Sequence, residues 1–401
     1  MSNQLRLSDR INKLSESATL RMTQLGRELT AQGINIISLS VGEPDFNTPE
    51  HVKDAAKKAL DDNYTRYSPV AGYPDLKRAI ADKLKRENGL DYEPSQIVVS
   101  TGAKQSLANV LLTLVNPGDQ VIIPTPYWVS YSEMVILAEG ESVYINTTIE
   151  SDFKITPQEL EAAITPRTKV FMFSSPCNPT GSVYSREELA GLVEVFERYP
   201  DIYIISDEIY EHINFIGEHA SIAQFPSVKE RVIVINGFSK AFAMTGWRLG
   251  YLAASKEIAA ANDKMQGQTT SGTSSISQRA GIAAYEHGLD SVMEMKKAFE
   301  RRRGLVYELL SDIPGVKTNL PQGAFYFFPD ISSFFGKKDK QGKEIKDSSD
   351  LALYLLNEAH VATVDGGSFG NNNYLRISYA ASDEQLTEAL RRIKEALAAL
   401  R

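Results

Sequence analysis

The chain has 401 residues, 42% hydrophobic and 23% charged, with a net charge of −8. That balance provides a sizeable core for one large and one smaller α/β domain, and it excludes a general nucleic-acid surface, which needs a basic excess. The single cysteine, Cys177, excludes a disulfide framework, and no apolar run reaches the ~18 residues of a membrane helix.

The N-terminal stretch "MSNQLRLSDRINKLSES" is polar and lacks the apolar core of a signal peptide. With one cysteine it reads as a chain of a reducing, cytoplasmic compartment. Through the middle, short β-branched runs alternate with helix-like segments. "QIVVS" (96–100) leads into "TGAKQSLANVLLTLV"; then come "GDQVIIP" (118–124), "KVFMFSS" (169–175), "IYIIS" (202–206) and "RVIVI" (231–235). This alternation predicts an α/β fold with a mostly parallel sheet covered by helices on both faces. In such sheets ligands bind at the carboxyl ends of the strands.

The charged segment 336–350 reads as an exposed loop. Residues 382–401 place Leu386, Leu390, Ile393, Leu397 and Leu400 on one helical face behind Ser382 and two acids, the pattern of a capped amphipathic helix. The simplest division is a large domain of residues 50–300 and a smaller α+β domain built from 1–49 and 301–401. Five scattered histidines and one cysteine give no metal-ligand spacing, so no metal is expected. His212 and His219 read as surface or loop residues.

The chemistry gathers just after the strand-like runs. Lys240 follows "RVIVI" between the nearly uncharged flanks "GFS" and "AFAMTGW". Burial lowers an amine's pKa and prepares it for Schiff-base formation. Arg248, eight residues on, has the planar fork that suits phosphate or carboxylate. Asp207 and Tyr210 follow "IYIIS", and Asn178 opens "NPTG" after "KVFMFSS". Taken singly, Asp207 reads as a helix cap, Asn178 as a turn residue and Trp128 as a core aromatic. The "TGAK" turn can offer the amides of Gly102, Ala103 and Lys104 to an anion at a helix N-terminus.

The set "SVGEPDFNTP" (40–49), "YSPVAGYPDLKRAI" (67–80), "TGAKQSL" (101–107), "PYWVSY" (126–131), "NPTG" (178–181), "SDEIYEH" (206–212), "SKAFAMTGWRLGY" (239–251) and "YLRISYA" (374–380) spans nearly the whole chain. It resembles the class I aminotransferases, pyridoxal-phosphate enzymes of fold type I, and most of all the bacterial aspartate aminotransferase branch that includes prephenate aminotransferases. The resemblance implies pyridoxal 5'-phosphate as cofactor, amino-acid and 2-oxo-acid substrates, and a homodimer with shared active sites.

By the same resemblance Lys240 is the covalent holder of the cofactor and the general base. Asp207 pairs with the ring nitrogen, Asn178 and Tyr210 bond the ring's phenolic oxygen, and Trp128 stacks on the ring. The phosphate falls to Gly102, Ala103, Lys104 and Arg248, with Tyr67 from a neighbouring subunit. Many relatives carry a phosphate-binding serine where this chain has Gly237, and Ser239 is the candidate replacement. Arg376, Gly42 and Asn178 take the α-carboxylate, Trp128 borders the substrate, Lys104 takes a side-chain carboxylate, and the segment around Thr19 closes over the site.

The expected reaction is aspartate with 2-oxoglutarate. In the resembling branch the lysine at the position of Lys104 implies an acidic substrate, and Ser15 and Glu16 depart from the pattern of relatives with marked prephenate activity, which weighs against prephenate. Prephenate, aromatic and alanine transamination or C–S lyase chemistry are the alternatives on this scaffold. Cys177 has no histidine partner and reads as a spectator. A dinucleotide-binding reading fails for want of GxGxxG.

Overall fold

In a computed structural model, which describes residues 7–401, seven strands form the central sheet. They are β1 (Ile97–Ser100), β2 (Gln120–Thr125), β3 (Glu141–Asn146), β4 (Thr168–Ser174), β5 (Tyr203–Asp207), β6 (Val232–Gly237) and β7 (Gly250–Ala253). Their order is β1-β7-β6-β5-β4-β2-β3, parallel throughout except that β7 runs antiparallel to both β1 and β6. The five apolar runs are β1, β2, β4, β5 and β6. The sheet also includes β3, an edge strand with alternating polar residues, and β7, four residues hidden behind "RLG", which apolar run length alone does not reveal.

Residues of each central strand alternate between two cores. Ile97, Val99, Phe171, Phe173, Ile204 and Val234 pack on one face, while Val98, Val121, Ile123, Met172, Ile205 and Ile233 pack on the other. Burial on both faces accounts for runs without polar alternation. A smaller antiparallel sheet comprises β8 (Tyr326–Phe327), β9 (Val364–Asp365) and β10 (Leu375–Ser378), in the order β9-β10-β8. Nearby, Ile37–Ser38 pairs in parallel with Val361–Ala362, joining the two ends of the chain.

Five helices matter for the site: α1 (Ala18–Ala31), α2 (Pro74–Asn88), α3 (Ala103–Leu114), α4 (Asp290–Ser311) and α5 (Asp383–Ala398). Helix α5 begins at Ser382, whose hydroxyl accepts from the Gln385 amide, and it buries Leu386, Leu390, Ile393 and Leu397 against α4, as its periodicity predicts. A third core collects Met22, Leu39, Phe299, Phe325, Leu390 and Ile393, residues distant in sequence. Segment 336–350 is mostly exposed, with a Lys338–Glu344 bridge, but Ile345 is buried and a short helix starts at Ser348.

Candidate active site

The carboxyl ends of β4, β5 and β6 and the start of α3 open onto one cavity of about 260 Å³, to which β8 contributes Tyr326 and β10 contributes Arg376. Parallel strands aim their carboxyl ends the same way, so loops far apart in sequence converge there.

Asp207 ends β5 and is 4% exposed. Its Oδ2 accepts a 2.7 Å hydrogen bond from the Tyr131 hydroxyl, and its Oδ1 accepts from the Ile209 amide at 3.3 Å. Burial pushes its pKa up to about 6, against the pull of those donors and of Lys240. Lys240 follows β6, and its Nζ donates to the Gly42 carbonyl at 2.6 Å and lies 5.7 Å from the Tyr210 ring centroid. Burial brings this amine down to about 8, and Arg376 and Arg248 press the same way. An amine with that pKa is about one-tenth neutral at pH 7, compared with roughly one part in three thousand for an ordinary lysine.

Arg376, in the middle of β10, is 2% exposed. Its Nη1 donates to Asn178 Oδ1 at 3.0 Å and its Nη2 to the Ser40 carbonyl, while Nε is buried without a partner. Tyr326 and Phe369 flank the guanidinium, at 4.6 and 4.9 Å from their ring centroids. Among the described residues no carboxylate pairs with Arg376. A buried cation held only by neutral groups is ready for an anionic ligand.

The opposite wall is built around α3. Gly102 caps this helix with φ of +82°, and a Cβ there would collide with the Arg248 guanidinium. Arg248 itself is left-handed, exposed, and donates to the Thr245 carbonyl at 2.8 Å, with no carboxylate partner among the described residues. Helix amides and a guanidinium therefore share one place, an arrangement that suits an anion.

Gly237 pairs in register with Gly250, and a Cβ on it would stand 2.8 Å from the Gly250 Cα. A serine does not fit there unless β7 shifts. Ser239, two residues on, is buried and lines the cavity.

Gly42, Ala103, Lys104, Trp128, Asn178, Asp207, Tyr210, Ser239, Lys240, Arg248 and Arg376 all line this cavity, as do Ser17 and Thr19 at the start of α1. Lys104 Nζ lies over the Trp128 ring, 4.8 Å from its centroid, with its pKa lowered by burial and by Arg248. Gly102 stands just behind the lining. Tyr67 is fully exposed and lies outside this chain's cavity.

Tyr131, Tyr326 and Ser174 also line the cavity without having been singled out. Tyr131 lies one helical turn after Trp128, a spacing that could have flagged it. Tyr326, whose hydroxyl is 2.7 Å from that of Tyr210, sits in "GAFYFF", which reads only as core.

One expectation changes in part. His212 and His219 lie in loops, but not at the surface: their side chains are 13% and 7% exposed, and each ring lies 2.9 Å from a glutamate, Glu87 and Glu208 respectively. The reason is a polar cluster buried beneath the site, invisible to local hydropathy. In it, ligand atoms of Glu208, Glu211 and His219 come within 4.8 Å of one another, and Lys83 pairs directly with Glu211. Cys177 is half-buried, and burial pushes its thiol pKa up, which suits a spectator. No helix among the described residues is long and apolar enough to cross a membrane.

This geometry matches known proteins along nearly its whole length. An aspartate/prephenate aminotransferase of Cereibacter sphaeroides is 48% identical over 396 residues, covering 98% of this chain and 99% of that protein. An aspartate aminotransferase of Pinus pinaster is 46% identical, covering 98% and 81%. The crystal structure of the aspartate aminotransferase from Rhizobium meliloti superposes with a TM-score of 0.96 at 44% identity, covering 99% of this chain and all of that one. The aspartate aminotransferase from Thermus thermophilus with maleate gives 0.92 at 41%, covering 98% and 100%. The family model for aminotransferase class I and II matches residues 34–393, and the chain belongs to that family.

Proposed function

We propose that this chain transfers the amino group of L-aspartate to 2-oxoglutarate, giving oxaloacetate and L-glutamate, with pyridoxal 5'-phosphate as cofactor. The observation that carries this reading is one cavity joining a lysine of pKa about 8, a buried carboxylate and two arginines without carboxylate partners among the described residues. Relatives named aspartate aminotransferase and aspartate/prephenate aminotransferase support the choice of substrate.

The donor set fits this cofactor. Arg376 Nε and Ser174 Oγ are buried without partners, and glycine at 102 keeps clear the space before Arg248 that any Cβ would fill. Bound there, the cofactor supplies a ring that delocalises the electron pair left when the amino acid's Cα–H bond breaks. Lys240 would hold it covalently through Nζ, then take and return the substrate's α-proton. Asp207, ionised above about pH 6, would pair with the ring nitrogen. Asn178 and Tyr210 would bond the phenolic oxygen, and Trp128 would lie against the ring.

The amides of Ala103 and Lys104, with Ser239 and Arg248, would hold the phosphate. The Gly102 amide, expected to join them, donates instead to the Ser100 carbonyl at 2.8 Å, which leaves glycine's part there to its lack of a side chain. Tyr67, fully exposed, would reach the phosphate in a second copy, so the proposed active unit is a homodimer. Arg376, with Asn178 and Gly42 beside it, would orient the α-carboxylate as a bidentate pair. Lys104, over Trp128, would take the side-chain carboxylate, and the segment around Thr19 would exclude water.

We also propose a cytoplasmic setting, supported by the lone cysteine. A cofactor-binding part of 50–300 and a smaller part of 1–49 with 301–401 is supported by a core drawn mostly from the chain's two ends, which Tyr210 and Ile213 also join, with α4 crossing from one core to the other.

Single-turnover mixing of the holoenzyme with a panel of amino acids, followed by cofactor absorbance, tests the function. Aspartate and glutamate should convert the cofactor to its amine form and release oxo acids. Failure of both would sink the substrate assignment, and pyruvate with ammonia would point to a lyase. Prephenate, present in relatives' names, belongs in the reverse half of the panel.

A further inference from the structure

We propose that Glu211 is a positioning residue for this amino transfer: its buried carboxylate ties the loop carrying Asp207 and Tyr210 to the strand end that leads to Lys240. The inference rests on the function proposed above and concerns a cluster outside the cavity.

Glu211 follows Tyr210 directly and is 6% exposed. Its Oε1 accepts from Asn236 Nδ2 at 2.7 Å and from Lys83 Nζ, and its Oε2 accepts from Asn88 Nδ2 at 2.7 Å. Asn236 lies on β6 four residues before Lys240, and its Oδ1 in turn accepts the Gly237 amide at 2.7 Å. On the far side, Lys83 Nζ also donates to Asn88 Oδ1 at 2.9 Å, and both residues belong to α2. One carboxylate thus anchors three elements, and two of them carry proposed cofactor-facing groups.

A fully buried ion pair stabilises a fold less than well-packed apolar side chains of equal volume would. Its use here is accounted for by direction: hydrogen bonds fix relative placement, which apolar contacts do only loosely. Glu208 offers a contrast. Its carboxylate engages Ser206, Ser221 and His219, none of which is on β6, so it braces β5 and the segment after it without reaching toward Lys240. What Glu211 sets is the separation of the Tyr210 ring from Lys240 Nζ, 5.7 Å in this structure.

Two variants separate positioning from mere support. Asn236→Ala and Asn88→Ala each remove one hydrogen bond to Glu211 and one further bond, from opposite sides. In the holoenzyme, Asn236→Ala should move the midpoint of the cofactor absorbance–pH curve by about half a pH unit or more and lower kcat ~10-fold, with KM for aspartate within about twofold, because a small misplacement acts on the reacting geometry. Asn88→Ala should lower the apoprotein's thermal midpoint yet leave the absorbance midpoint in place. Glu211→Asp, which keeps the charge but shortens its reach, should shift the absorbance midpoint as Asn236→Ala does, and it serves if Asn236→Ala does not fold. An unmoved midpoint in the β6-side variants, or an equal shift in Asn88→Ala, would overturn the proposal. If wild type binds the cofactor but ignores aspartate, the substrate reading fails, while the absorbance comparison still judges Glu211.

Discussion

The two walls of the cavity are built differently. On the large sheet, Asp207 ends one parallel strand and Asn178 and Lys240 follow closely after two others, so one topological rule delivers all three to the same edge. On the other side, Arg376 lies mid-strand in the small antiparallel sheet, and Gly42 comes from a loop more than three hundred residues away. The large sheet holds the groups suited to changing bonds, and the small one holds the group suited to recognising a carboxylate. Chemistry and recognition should therefore fail separately.

The largest effect is expected from the sheet edge. Lys240→Ala should reduce turnover by about 10⁴-fold or more in a steady-state assay, since no other amine stands in for the nucleophile and base. Full activity in that variant would end the distinction drawn here. On the recognition side, Arg376→Lys should raise KM for every amino acid, on the order of 100-fold, because an ammonium cannot reproduce the fork. An unchanged KM would remove Arg376 from carboxylate binding.

Tyr131→Phe sharpens the comparison, since Tyr131 supports the chemistry wall without being placed on the substrate. Its hydroxyl stabilises ionised Asp207, so its loss should raise the Asp207 pKa further above about 6. The protonated acid cannot do the same task, so the acid limb of the kcat–pH profile should move to higher pH. At pH 7 the loss should be about twofold to fifteenfold, as one charge-assisted hydrogen bond of about 1.5–3 kcal/mol raises the pKa by about one to two units. A profile identical to wild type would refute that coupling. The smallest effect is expected of Lys104→Ala: a rise of several-fold in KM for aspartate and none for alanine, as expected for a half-solvated pairing. Equal changes for both substrates would assign Lys104 to the phosphate alone.

Most of the sheet-edge wall was legible because each residue sits just past an apolar run, and run and residue are both local. Even there, the strand Gly250–Ala253 was hidden. It is four residues long, and it exists because Gly237 and Gly250 permit close backbone approach. Tyr131 was one turn from a residue already singled out. Tyr326 carried no local signal, because an aromatic in an aromatic run looks like packing until a second hydroxyl is seen 2.7 Å away. His212 and His219 do lie in loops, but their burial was hidden for the converse reason: polar residues look exposed when the carboxylates that make their burial tolerable lie elsewhere in the chain.

By itself, then, the sequence determined the parallel α/β frame, the capped C-terminal helix, and the strand-end placement of Lys240, Asp207 and Asn178. Those features follow from side-chain periodicity and short-range caps, which act over a few residues. Only the tertiary structure decided that Arg376 is buried against Asn178 with no acid beside it, that burial brings Lys240 to about 8, and that Glu211 links Tyr210 to the approach to Lys240. Desolvation and long-range pairing depend on what the rest of the chain brings alongside a group, and no local pattern encodes that.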